Sequence, residues 1–134
     1  MTSGEPGTRP WFEAYLEAFN SADFAGFGAF YHPRVEFEGR AARLTGRDAV
    51  LDFYRMVRAR VAEHVELVTF VGSPRYCAAE IVTTLDPLED WPDFPTGALH
   101  AGVRRQSVNF AFYDIADGQF TRIRSAGYRR IEPA

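Results

Sequence analysis

The sequence predicts an α+β domain in which a cone-shaped, curved antiparallel sheet wraps around three N-terminal helices. Two observations carry this. Apolar residues repeat at helical spacing in early stretches, then fall into strand-length blocks separated by turn residues from residue 64 onward. Helices followed by consecutive strands indicate a sheet packed on helices, not a parallel βαβ sheet. A chain of 134 residues is sized for one core. It reads as a single domain over residues 10–134 behind a loose, Gly- and Pro-rich tail, residues 1–9.

The first helix opens at Pro10, where a missing N–H costs nothing. Phe12, Tyr15, Leu16 and Phe19 form its apolar stripe, and Asn20 and Ser21 end it. Asp23 is placed to cap a second helix over 24–31, which Pro33 stops. "RVEFEG" then alternates at period two as the first strand. Val35 and Phe37 share one face and Glu36 and Glu38 the other. With the apolar face inward, the glutamates point away from the pocket unless a bulge at Gly39 turns Glu38 in. The longest helix runs over 45–61, capped by Thr45, with Val50, Tyr54, Val57 and Val61 on its inner face. "VELVTFV" and "YCAAEIVTTL" are strands joined by the turn "GSPR". A long strand over 98–115, bent or bulged near Gly102, leads through the hairpin turn "ADGQ" into "FTRIRSAGYRRI".

A formal charge of −3 argues against a nucleic-acid partner, which would require a basic surface. Cys77 is the single cysteine, so no intrachain disulfide or multi-cysteine metal site can form. The histidines lack His-x-His or HExxH spacing, and the acids Asp86, Glu89, Asp90 and Asp93 lack the calcium-loop pattern, so no metal is expected. With no long apolar run and a polar N-terminus, no membrane contact is expected and the location reads as cytoplasmic. Aromatic residues at 15% either fill a large core or line a concave cavity.

With these elements in place, the chain resembles the nuclear-transport-factor-2-like superfamily, in its branch of ketosteroid isomerases, scytalone dehydratases and SnoaL-like polyketide cyclases. The resemblance rests on "YLEAFNSADFAGFGAFYHPRVEFE", "LTGRDAVLDFYRMV" and "DGQFTRIRSAGY", and extends over residues 11–131. It implies a cone with a small-molecule pocket, no cofactor, and a homodimer. In ketosteroid isomerases a tyrosine five positions before the Asn donates to the substrate oxyanion, and Tyr15 holds that place before Asn20. The general-base aspartate of those enzymes falls on Gly39, and their neutral aspartic acid on Val108, so standard ketosteroid isomerase chemistry is not implied. Dehydratase-like relatives carry an acid–base histidine near the start of the strand after the long helix, which implies that role for His64. A helix-end histidine meeting terminal carbonyls is the other reading. The substrate-polarising histidine of the penultimate strand corresponds to Gln106.

If Phe110 and Phe112 face inward, Val108, Gln106 and Arg104 share their face. That makes Arg104, Gln106, Val108 and Phe110 ligand-binding candidates beside Phe37 and Tyr54. Arg104 either binds an acid or anionic ligand, or reaches water at the rim. In "LEDWPDFP", Trp91 and Phe94 either anchor a plain loop or belong to a lid over the pocket. Arg122 and Arg124 alternate on one strand face, which is either a solvated face or half of an ionic subunit contact. The function expected is a cofactor-independent isomerase, dehydratase or cyclase acting on a small apolar oxygenated compound, with Tyr15 and His64 catalytic. The alternative is a non-catalytic ligand-binding or protein-interaction module on the same fold. An inward carboxylate or imidazole near Tyr15 favours the enzyme; a filled or wholly apolar cone favours the module.

Overall fold

In the structure, a computed structural model that describes residues 4–132, the elements follow the predicted order with one addition. Helix α1 spans Arg9–Asn20 and α2 spans Phe24–Gly28. Strand β1 (Tyr31–Glu38) and the short β2 (Arg43–Thr45) precede α3 (Arg47–Arg60). Then come β3 (Val61–Gly72), β4 (Tyr76–Pro87), β5 (Arg105–Ala116) and β6 (Gln119–Ile131). The described residues form one curved, open sheet in the order β2-β1-β6-β5-β4-β3, antiparallel except for the β1–β6 pair. Among them no helix is long and apolar enough to cross a membrane.

Thr8 caps α1, its hydroxyl oxygen accepting from the Trp11 amide at 3.4 Å while its own proton goes to the Glu5 carbonyl. Of the tail expected to be loose, residues 1–3 lie outside the described residues. Gly7 is buried at φ +83, and a Cβ there would stand 1.8 Å from the Ser73 carbonyl oxygen. Only glycine lets this segment lie on the β3–β4 turn.

Asp23 caps α2, its Oδ1 accepting from the Gly26 amide at 2.9 Å. The helix ends at Gly28, however, and Pro33 lies inside β1 instead of stopping a helix. The β1–β6 register breaks between Tyr31 and Glu36, which accommodates a residue with no N–H for the ladder. The expected Thr45 cap does not form: Thr45 ends β2, and Gly46, at φ +98, takes the N-cap place of α3 without a side-chain bond. Strand β2 has no counterpart in the sequence reading, because three partly or fully exposed residues carry no usable period. The strand expected from residue 98 begins at Arg105. Residues 98–104 turn back instead, with Leu99 bridging to Trp91 and Gly102 at φ +76. The β5–β6 turn has Asp117 and Gly118 both at positive φ, as tight hairpins of the primed type require.

Helices α1 and α3 lie on the concave face. Phe12, Phe27, Tyr31, Val35, Val50 and Phe120 are the heart of the main core. A second cluster of Val57, Val61, Leu85, Trp91, Phe94 and Leu99 closes the other end of α3. Asn20 ties α1 to the outermost strand: its Nδ2 donates to the Val65 carbonyl at 2.9 Å, and its Oδ1 accepts from the Val65 amide at 2.8 Å. This bond pair holds β3 in register against the helix, and register decides which of its side chains face inward.

Candidate functional site

The concave face encloses a cavity of about 330 Å³, lined from both core clusters. Phe19, Phe37, Tyr54, Val57, Val65 and Ile81 give it an apolar wall. Tyr15, Glu63, Thr83, Ser107, Asn109 and Tyr113 add polar groups to its interior. Arg40, Arg105, Arg129 and Arg130 also line it, and all but the half-buried Arg105 are exposed, which places them toward the opening.

Glu63 is the one carboxylate among the described residues lining this cavity. Its Oε1 is sealed from solvent and has no hydrogen-bond partner. Burial pushes its carboxyl up to about 7, against the opposing pull of the Arg58 guanidinium. Arg58 is engaged elsewhere: it donates to the Phe19 carbonyl and lies over the Phe19 ring.

The Tyr15 hydroxyl is 2.7 Å from that of Tyr31. Tyr31 is wholly buried and does not line the cavity. If Tyr15 donated, the Tyr31 proton would be left buried without an acceptor, so Tyr31 donates and the Tyr15 proton is free for the cavity. Burial raises the pKa of both phenols, so each keeps its proton, and the Glu63 charge is close enough to raise Tyr15 further. Asn109 uses its amide protons on Thr83 Oγ1 (3.0 Å) and Ser107 Oγ (3.2 Å), which leaves its carbonyl oxygen as an acceptor. The interior thus holds one carboxyl, the phenols of Tyr15, Tyr54 and Tyr113, and one amide acceptor among aromatic walls.

The SnoaL-like domain family matches residues 12–123, most of the chain and most of the cavity lining. The chain belongs to the SnoaL-like family. Several solved structures share the cone of this SnoaL-like protein. One from Xanthomonas campestris pv. campestris, described as a candidate polyketide cyclase, is 25% identical, covers 85% of this chain and 84% of its own, and has a TM-score of 0.72. Another so described, from Pseudomonas putida, is 21% identical over 94% of this chain and 91% of its own, with a TM-score of 0.77. An LEH-like epoxide hydrolase of M. tuberculosis is 19% identical over 87% of this chain and 79% of its own, with a TM-score of 0.70. No curated protein matches the sequence. These descriptions range from cyclase to epoxide hydrolase, and a shared cone does not choose among them.

Of the residues singled out from the sequence of this SnoaL-like chain, Tyr15, Phe37 and Tyr54 line the cavity. The others do not. His64 is exposed on the far face of β3 beside Glu13 and Asn20, because alternation places Glu63 and Val65 inside. On β5 the expected faces are inverted: Arg105, Ser107, Asn109 and Tyr113 point into the cone. Gln106 donates instead to Thr84 Oγ1 at 2.9 Å, and Val108 is buried on that same other face, opposite Val82 in the sheet. Phe110 is 45% exposed and packs on Tyr128. Arg104 grips Asp86 through two bonds of 2.8 and 3.0 Å at the surface. Trp91 is buried under the Arg60 guanidinium, 3.9 Å from its ring, and its backbone pairs with Leu99, so it anchors the loop and does not line the cavity. Phe94, three residues on, is the loop's contribution to the cavity wall. Glu36 and Glu38 point outward, and the Arg122 guanidinium, with Arg43 beyond it, holds the Glu38 carboxyl below the usual carboxylate range. Glu63 went unread, although Val61 and Val65, two residues to either side, mark its face as the inner one.

Proposed function

We propose that this SnoaL-like protein is a cofactor-independent enzyme that moves a proton on a small, largely apolar oxygenated compound, as an isomerase, dehydratase or cyclase does. The observation that carries the reading is the unpartnered Glu63 carboxyl, poised near neutrality in the same cavity as the free Tyr15 proton. The Glu63 carboxylate takes a proton from the carbon beside a substrate carbonyl. Tyr15 donates to the enolate oxygen that forms, a task its raised pKa permits without ionisation. The protonated Glu63 then returns the proton to another carbon or to a leaving hydroxyl, or the enolate carbon closes a ring by attacking a second carbonyl of the substrate, whose alkoxide oxygen takes the proton from Glu63. The test is deuterium uptake at the α-carbon of small aryl ketones, such as acetophenone and tetralone, followed by NMR in deuterated water. Exchange above buffer that is lost in Glu63→Gln supports the enzyme. Ketones that bind without any exchange across the panel favour the non-catalytic binding module.

We also propose that two copies pair through the outer sheet face. Val71, Phe110 and Phe112 share a groove there and Tyr76 packs on Phe112, all of them exposed. Arg122 and Arg124, paired with Glu38 and Asp114, add ionic groups on the same face. Contiguous exposed apolar surface of this kind marks a contact site. Light scattering at micromolar concentration is expected to read twice the chain mass; a monomer rejects the pairing.

A further inference from the structure

The opening of the cavity carries charge that the rest of the molecule does not explain. The chain is net negative at −3, yet Arg40, Arg105, Arg129 and Arg130 all line this one cavity. None of the four pairs with a carboxylate of the described residues, whereas seven other arginines do. Two glycines make room for the group. A Cβ on Gly97 would stand 3.3 Å from Arg105 Nη1 and 4.0 Å from Arg130 Nη2, so two guanidinium groups converge on one point. A Cβ on Gly127 would stand 2.8 Å from Arg40 Nη1, so the Arg40 side chain lies across the bare backbone of β6.

Arg105 is held in place by the loop, donating through Nη2 to Thr96 Oγ1 at 2.6 Å and through Nη1 to the Gly97 carbonyl at 3.2 Å. Burial, together with the neighbouring charges of Arg130 and Arg40, lowers its pKa. Arg40 and Arg130 make no side-chain hydrogen bond to the described residues, so their donors are available. Like charges gathered at an opening repel one another and draw in an anion, and guanidinium is the side chain best matched to a carboxylate. Glu63, the one carboxyl lining the cavity among the described residues, offers such an anion no attraction.

We propose that the cavity takes a ligand with an apolar body and a carboxylate at one end, the carboxylate held by Arg40 and Arg130 beside the fixed Arg105. This rests on reading the cone as a substrate pocket. It goes further by giving the substrate class a charge and a direction: acid group outward, reacting carbon inward beside Glu63. Neutral N-phenylnaphthylamine, fluorescent in apolar surroundings, serves as the reporter, and naphthoate and its uncharged analogue naphthylmethanol compete with it. Naphthoate is expected to displace the reporter at about tenfold lower concentration than naphthylmethanol, an advantage that shrinks as salt is raised. In Arg40→Gln/Arg130→Gln, whose fold is checked by thermal unfolding, the advantage is expected to vanish while competition by naphthylmethanol is unchanged. Equal competition in the wild type, or an advantage that survives in the variant, overturns the carboxylate assignment and leaves the pocket standing. A reporter that does not enter the wild-type cone overturns the pocket reading and this proposal with it.

Discussion

Glu63→Gln is expected to slow α-carbon exchange by roughly 10²–10⁴-fold, the loss typical of removing a positioned general base, while reporter binding in the cone persists. In the wild type the exchange rate should climb as pH rises through about 7, because the reaction draws on the ionised carboxylate. The same substitution has a signature in stability that needs no substrate. Unfolded, Glu63 releases its proton near the ordinary value of 4.5; folded, it holds it to about 7. Between these values the native chain binds more protons than the unfolded one, so stability falls as pH rises across that window and stays lower above it. Relative to wild type, Glu63→Gln should therefore gain about 1–3 kcal/mol on going from pH 4 to pH 8. Urea unfolding at the two pH values measures this. A difference between the proteins that does not change with pH would show that the carboxyl is not held in an apolar setting, and would remove it from the mechanism.

Tyr15→Phe should show both losses together. Exchange is expected to fall by roughly 10²–10³, as for other single oxyanion donors. Stability is expected to fall by about 1–3 kcal/mol, because the Tyr31 hydroxyl keeps its place in the core with nothing to receive its proton. The partner substitution Tyr31→Phe separates the effects. It leaves the Tyr15 donor in the cavity, so turnover should drop far less than in Tyr15→Phe. Undiminished exchange in Tyr15→Phe, or equal damage from both substitutions, would mean that the pair serves packing only.

The architecture was readable because period and punctuation agree along most of the chain. The α1 stripe, the Asp23 cap, the inward face of α3 and the Asp117–Gly118 turn each follow from local chemistry. The site was less readable for one physical reason: a strand lining a polar cavity hides the usual hydrophobic signal. On β5 the residues facing the cone include Ser107 and Asn109, while Phe110 and Phe112 face outward, so burial inferred from apolarity turned the strand over. That single inversion misplaced Arg104, Gln106, Val108 and Phe110 together. His64 and Glu63 are neighbours on opposite faces of β3, and the Val61 and Val65 alternation marks the Glu63 face as the inner one. Arg40 and Gly127 meet only through tertiary structure, and no local pattern announces them.

The parallel pairing of β1 with β6 joins the first strand of the domain to its last. Phe120 of β6 packs its wholly buried ring against Trp11, Phe12 and Tyr15, completing an aromatic cluster to which Phe30, Phe70 and Tyr113 also contribute. The β3–β4 and β5–β6 pairs close through short turns, the β4–β5 pair through the longer segment 88–104, and β1 must wait for a loop spanning most of the chain to close. Closure of the sheet on β1 therefore waits for its last strand. Until β6 docks, Trp11, Phe12 and Tyr15 lack one of their ring contacts, and partly folded chains in that interval are the ones most exposed to aggregation.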